Sequence, residues 1–264
     1  MTGTFIHPLI SFVDKTFVIA EFELRKLRHD FTELITRALQ PALWLLIFGQ
    51  VFARSGMMHT GNIPYLDFIA PGILAQSVLF VAIFYGINVI WERDLGIVHK
   101  FLASPTPRGS LVLGKSVSAG IRALSQAVII YVLALLLGVK VNWSPLALFG
   151  VLIAVMLGAA LFSTFSLIIA CLVKTRERFM GIGQVMTMPL FFASNAIYPI
   201  SIMPTWLKVI ARINPLTYQV DALRALMVQG GQSTFGLGTD FAVLGLAVIL
   251  LSTLCARLYG SLVH

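Results

Sequence analysis

Six long apolar stretches, joined by short polar connections, constrain this chain more than any other feature. They centre on residues 39–52, 68–90, 117–138, 146–173, 181–202 and 241–263. A helix rises about 1.5 Å per residue, so crossing a hydrocarbon layer about 30 Å thick takes roughly 20 apolar residues. Most stretches meet that length; the first is short and must borrow residues at its ends. Lipid offers no hydrogen bonds and a helix satisfies its own backbone, so helical spans are the economical solution. The expected fold class is an all-α membrane protein with six transmembrane helices.

Composition agrees, with 58% hydrophobic and only 11% charged residues, where a soluble chain carries about 25% charged. The longest pieces outside the spans are 1–37, 91–116 and 203–240, none large enough for an ordinary independent domain. The expected organisation is therefore a segment 1–37 ahead of a six-helix transmembrane domain, 38–264. The formal charge of +8 is distributed by connection. Lys15, Arg25, Lys26, Arg28 and Arg37 precede the first span, and Arg54 alone follows it. Arg93, Lys100, Arg108 and Lys115 fill the next connection, Lys140 stands alone, and Lys174, Arg176 and Arg178 cluster again. This rich–poor alternation puts both termini in the cytoplasm by the positive-inside rule. The basic balance reflects topology and anionic lipid headgroups, and argues against a nucleic-acid partner. Cys171 and Cys255 both lie inside spans, with neither metal-like spacing nor enough partners for a disulfide framework.

Ahead of the first span, Phe17, Ala20, Leu24, Leu27, Phe31, Leu34 and Ala38 recur at helical steps. The opposite face is charged, with Glu21/Arg25 and Glu33/Arg37 at i,i+4, so an amphipathic helix in the headgroup plane is expected. The connection 91–116 reads as a second short helix: Ile97, Val98, Phe101 and Leu102 form an apolar face, and Pro105 and Pro107 break it. That face must be buried in lipid or in a partner. The outer connection is unusually apolar and is punctuated by Pro199, Pro204 and Asn214-Pro215, so short half-buried helices are expected there. Asp221 and Arg224, three apart, can pair on one helix face.

Catalytic chemistry is missing. Residues 109–116 match the literal phosphate-loop pattern, ending Gly114-Lys115-Ser116. A working loop follows a buried strand inside a nucleotide-binding domain, whereas here a proline-broken helix precedes and a span follows. The five histidines are scattered, and no span carries Asp or Glu near its centre, so a proton-coupled pump lacks its equipment. The chain is not expected to be an enzyme, and any uphill movement must draw on another chain. Gln76, Ser77, Asn88, Ser125, Gln126, Gln184, Thr187, Ser194 and Asn195 lie within spans, where they bond between helices or touch cargo. Pro189 is expected to kink the fifth span, and Ala154/Gly158 to allow close helix packing.

Two segments carry a family resemblance. Glu92-Arg93-Asp94-Leu95-Gly96, followed by Leu102-x-Ser104-Pro105-x-x-Arg108 and Gly114-Lys115, resembles the signature connection of type-2 ATP-binding-cassette (ABC) exporter permeases. Asn214-Pro215-Leu216-Thr217-Tyr218, followed by Asp221-x-x-Arg224, resembles that family's motif before its last span. The likeness covers nearly the whole chain and is nearest to bacterial permeases of the daunorubicin-resistance type.

The resemblance implies a multi-pass protein of the bacterial plasma membrane with a coupling helix between the second and third spans. It implies contact of Glu92, Arg93, Gly96, Ile97, Val98, Phe101, Leu102 and Arg108 with a separate cytoplasmic ATPase. Two ATPases and a second permease copy, expected to be identical, complete the transporter, with ATP and Mg bound by the ATPases and no cofactor or metal in this chain. It implies a cargo path lined mainly by the second and fifth spans, with Gln76, Phe80, Phe84, Gln184, Met188, Phe191, Phe192 and Asn195 as candidates. Asn214, Pro215, Tyr218, Asp221 and Arg224 form the outer motif. His99 departs from the family, where many members carry a carboxylate. The expected function is ATP-driven export of an amphipathic drug-like or lipid cargo. Export of a lipid-linked polysaccharide stays open, as does a membrane-embedded assembly factor or enzyme component that works with an ATPase.

Overall fold

A computed structural model describes residues 14, 16, 18, 21, 25, 39–55, 63–98, 100, 107–173 and 175–259. Helical residues 39–43 lead into a π-helical turn, Trp44–Gly49, and then into α1, Gln50–Ser55. There follow α2 (Tyr65–Asp94), α3 (Arg108–Leu136), α4 (Pro145–Leu172) and α5 (Arg176–Phe192). A 3₁₀ turn (Ile200–Ile202) precedes α6 (Thr205–Ile213), α7 (Pro215–Met227) and α8 (Leu237–Leu258). Among the described residues, the β-structure is an isolated bridge between Val141 and Val228. The protein is all-α, and α2, α3, α4 and α8 are long and apolar enough to cross a membrane.

Helix α2 is the centre of the bundle. Its most apolar window is 78% buried within the protein, against 11% for α8, which leaves α8 on the lipid side. Two glycines let α2 sit so deep. A Cβ at Gly72 would come within 2.2 Å of the Ala196 carbonyl, and one at Gly86 within 2.1 Å of Ser166 Oγ. Ser166 in turn donates to the Ile83 carbonyl, tying α4 to α2. At Gly158, the side chain of Gln219, from α7, fills the space where a Cβ would stand.

The fifth apolar stretch, 181–202, is not one helix. After Pro189, α5 stops at Phe192, and the chain turns through residues 193–199. Ser194 donates its hydroxyl to the Phe191 carbonyl, and the Ser194 oxygen accepts the Ala196 N–H. Such local side-chain bonds compete with helix continuation. At 17 residues, α5 spans about 25 Å at 1.5 Å per residue, short of the hydrocarbon thickness. The second stretch errs the other way, since α2 continues past residue 90 and absorbs the start of the expected connecting helix.

One end of the bundle gathers the C-termini of α2, α4 and α8 with the N-termini of α3 and α5. At the opposite end, Asn142 N–H donates to the Met227 carbonyl and Gln229 N–H to the Lys140 carbonyl, both at 2.8 Å, so the α3–α4 connection is stitched to the end of α7. Of the amphipathic N-terminal helix, the described residues are helical and Arg25 meets Glu21 at 2.7 Å as expected. Glu33/Arg37 and the rest of that helix lie outside the described residues, as do His99, Phe101, Leu102 and residues 103–106.

Candidate functional site

The last turn of α2 carries three consecutive charged residues, and successive side chains on a helix leave about 100° apart. Glu92, Arg93 and Asp94 therefore reach three different elements. Glu92 accepts from Lys115 Nζ of α3 at 2.6 Å, with side chains only 5% and 2% exposed. Arg93 donates to the Val173 carbonyl at the end of α4, at 3.3 Å. Asp94 accepts from Arg176, at the start of α5, at 2.7 and 3.1 Å. The Arg176 guanidinium also lies 3.6 Å from the centre of the Trp91 ring, within cation–π range.

Gly96 closes the turn. Its φ of 72° puts it in the left-handed region, and its N–H donates to the Arg93 carbonyl at 2.9 Å. Beyond it Val98 is fully buried among Val89, Leu111, Val112, Leu167, Cys255 and Tyr259. Ile97 is half-buried, whereas Leu95 is 69% exposed and Arg108 stands at the surface. Of the expected coupling face, Val98 thus points into the permease itself, and Leu95 presents apolar surface instead. The phosphate-loop look-alike, residues 109–116, forms the first turns of α3. Its lysine is the one held by Glu92.

Between α2 and α5 lies a groove of about 580 Å³. Ser77, Phe80, Val81, Phe84 and Ile87 line it from α2, Gln184 and Met188 from α5, and Gln40 from the first helical segment. The Phe80 and Phe84 rings stack 6.0 Å apart. Two amides and a hydroxyl face aromatic and aliphatic surface, and none of the lining residues is ionisable. Four of the expected path residues meet here: Phe80, Phe84, Gln184 and Met188. The others sit elsewhere. Gln76 is buried inside the bundle, and Phe191 packs edge-on to Trp44 at 5.9 Å and to Phe192 at 5.3 Å. Phe192 is partly exposed beside it. Asn195 belongs to the outer motif.

That motif is a buried polar cap. Asn214 caps α7 by accepting from Leu216 N–H at 3.0 Å, its amide donates to the Leu190 carbonyl at 2.7 Å, and Pro215 takes the first helical position. Tyr218 donates to the Arg212 carbonyl at 2.6 Å. Asp221 and Arg224 are joined through a third residue. Asn195 donates to Asp221 at 3.3 Å, and Arg224 donates to the Asn195 carbonyl at 2.7 Å while lying 3.7 Å from the Phe68 ring. Asp221 also accepts the N–H groups of Thr234 and Phe235, at 2.6 and 3.0 Å. Burial lowers the pKa of Arg224, on a helix outside the four spanning ones, and the Asp221 charge opposes that shift.

Sequence reasoning passed over Lys115, Trp91 and Arg176 as partners of α2's last turn, and Gln40 as a groove residue, while Ser77 was among the span residues expected to bond between helices or touch cargo. A signal was present for the first: a carboxylate and a lysine at facing ends of adjacent spans seek each other wherever lipid surrounds them. Nothing local marks Gln40, whose place depends on how the first helix leans on α2 and α5.

The family described as ABC-2 type transporter matches residues 15–228. The chain is 29% identical over 220 residues to the putative transport permease ycf38 of Cyanophora paradoxa, covering 81% of this chain and 74% of that protein. It is 25% identical over 232 residues to the daunorubicin resistance ABC transporter permease protein DrrB1 of Streptomyces coeruleorubidus, covering 88% and 81%. To the probable multidrug ABC transporter permease YbhR of Escherichia coli it is 30% identical over 177 residues, covering 65% and 46%.

Proposed function

Because this chain belongs to the ABC-2 type transporter family and is the multi-pass membrane permease of an ABC transporter, we propose that it exports an amphipathic drug-like or lipid molecule from the cytoplasm or inner leaflet. ATPase subunits on separate chains, two per transporter, bind ATP and Mg and dock at the end of α2, where Leu95 and Arg108 are exposed. Two copies of the permease make the pathway in a bacterial inner membrane, each with six membrane-inserted segments and both termini in the cytoplasm. The first helix and α5 enter as the shorter two of the six. Residues 1–37 form the interfacial segment and 38–264 the transmembrane domain. ATP closes the ATPases, and their movement shifts the permease between states that must differ in affinity for cargo, or nothing is driven.

The observation that carries the cargo class is the α2/α5 groove. Its volume of about 580 Å³ suits a drug-sized molecule, and its lining pairs neutral hydrogen-bonding groups with aromatic surface. One relative is named for daunorubicin resistance, so daunorubicin is the first probe, with a fluorescent phospholipid as the second. In inverted vesicles holding permease and ATPase, Phe84→Ala/Gln184→Ala is expected to cut ATP-dependent accumulation at least tenfold while ATP hydrolysis persists. Accumulation of neither probe by the wild-type complex, with ATP-dependent movement of a lipid-linked glycan instead, would overturn the assignment.

A further inference from the structure

The three contacts made by residues 92–94 differ in kind, and that difference has a mechanical meaning. Glu92 and Lys115 are both buried. Separating two charges buried this deeply carries a large desolvation cost, which proteins avoid strongly. Arg176 and Asp94 have side chains 33% and 37% exposed. Water can replace each partner there, and such surface pairs exchange readily. The cation–π contact of Arg176 with Trp91 also forms on a half-exposed ring.

Position adds to this. The buried pair joins α2 to α3 directly behind the Gly96 turn, and Tyr259, at the end of α8, packs in the same cluster as Val98 and feels both charges. The exposed contact joins α2 to the first residue of α5, at the end of the groove toward Ile87.

We infer that the last turn of α2 is a distributor of movement. The Glu92–Lys115 pair is a fixed joint that makes α2 and α3 one moving body. Arg176, clasped on Asp94 and Trp91, is a releasable catch that holds α5 against α2 and so closes the inner end of the groove. When a docked ATPase displaces the segment beyond Gly96, α2 and α3 travel together and α5 parts from them. Glu92, Lys115 and Arg176 are positioning residues here, acting through helices and not on cargo. The inference rests on the proposed docking of an ATPase at this end.

The test places nitroxide labels on permease in lipid nanodiscs with its ATPase, in a Cys171→Ala/Cys255→Ala background. One pair is Asn88→Cys/Val128→Cys, reporting α2 against α3; the other is Asn88→Cys/Met180→Cys, reporting α2 against α5. Between nucleotide-free and MgATP–vanadate states, EPR distances are expected to hold for the first pair and lengthen by several ångströms for the second. Equal changes in both, or none in the second, overturn the inference.

A second arm needs no ATPase. Arg176→Ala is expected to broaden and lengthen the α2–α5 distance in the permease alone, and Lys115→Met to broaden the α2–α3 distance. The exchange Glu92→Lys/Lys115→Glu should narrow it again, an outcome a purely space-filling role does not produce. Glu92→Gln, which keeps the side-chain shape, replaces Lys115→Met if that variant does not fold. Unchanged distances in both single variants overturn the inference. Failure of the ATPase to bind the wild-type permease counts against the docking proposal alone, because this second arm still reads.

Discussion

At position 115 a lysine that completes a phosphate-loop pattern ends 2.6 Å from the Glu92 carboxylate inside a helical bundle. The apolar residues in the middle of that pattern are what α3 needs to pack, and its helix leaves no loop to wrap a phosphate. Removing one partner of a buried pair is far more damaging than replacing both by apolar groups. Lys115→Met is therefore expected to lower stability by about 3–5 kcal/mol. The double variant Glu92→Leu/Lys115→Met should regain most of that loss. Survival of the monodisperse peak after heating in detergent checks both, and equal damage from single and double variants would show that the charges do not matter as a pair.

At the scale of the element, α2 is held by close approach along its length. Gly72 lies against backbone, the Ala196 carbonyl, which cannot rotate away from an added methyl. Gly72→Ala should cost about 1–3 kcal/mol, in the range of overpacked cores. Gly245→Ala, in α8 with nothing within 4 Å of the added atom, should be neutral or slightly stabilising. The same thermal assay compares them, and equal losses would contradict the packing described. These helices also show where sequence reading succeeds. The runs that became α2, α3, α4 and α8 were legible because lipid demands continuous apolar length. The end of α5 was not, because hydrophobicity persists through Ile202 while Pro189 and Ser194 redirect the backbone. Nor was the reach of α2 beyond residue 90, since charged residues there read as a connection although each is taken up by a neighbouring helix.

For the whole molecule, the two ends are built differently. The end at the start of α4 is closed by the cap around Asp221 and by the stitch between Lys140 and Gln229. The opposite end, proposed to face the cytoplasm, exposes Leu95 and Trp91 beside Arg93, Asp94 and Arg176. Leu95→Glu is thus expected to abolish co-purification of the ATPase without loss of membrane insertion; retention of the ATPase would move the docking surface elsewhere. The candidate site was half legible. The α2/α5 side of the groove followed from a family resemblance placed on Phe80, Phe84, Gln184 and Met188. Asn195 fell outside it because it lies in the turn past the end of α5, and Phe191 because its ring packs on Trp44 and Phe192 instead of facing the groove.

The apolar window of helix α8 is mostly exposed on one side, and lipid covers that side. Its other side packs on α3, α4 and α7, so a mismatch between membrane thickness and its apolar length is passed to those helices as well. Tyr259 sits at its tip, against the turn that ends in Gly96. Fatty-acid chain length is thereby expected to reach the last turn of α2 through α8, and ATP-driven transport in vesicles of differing chain length checks it.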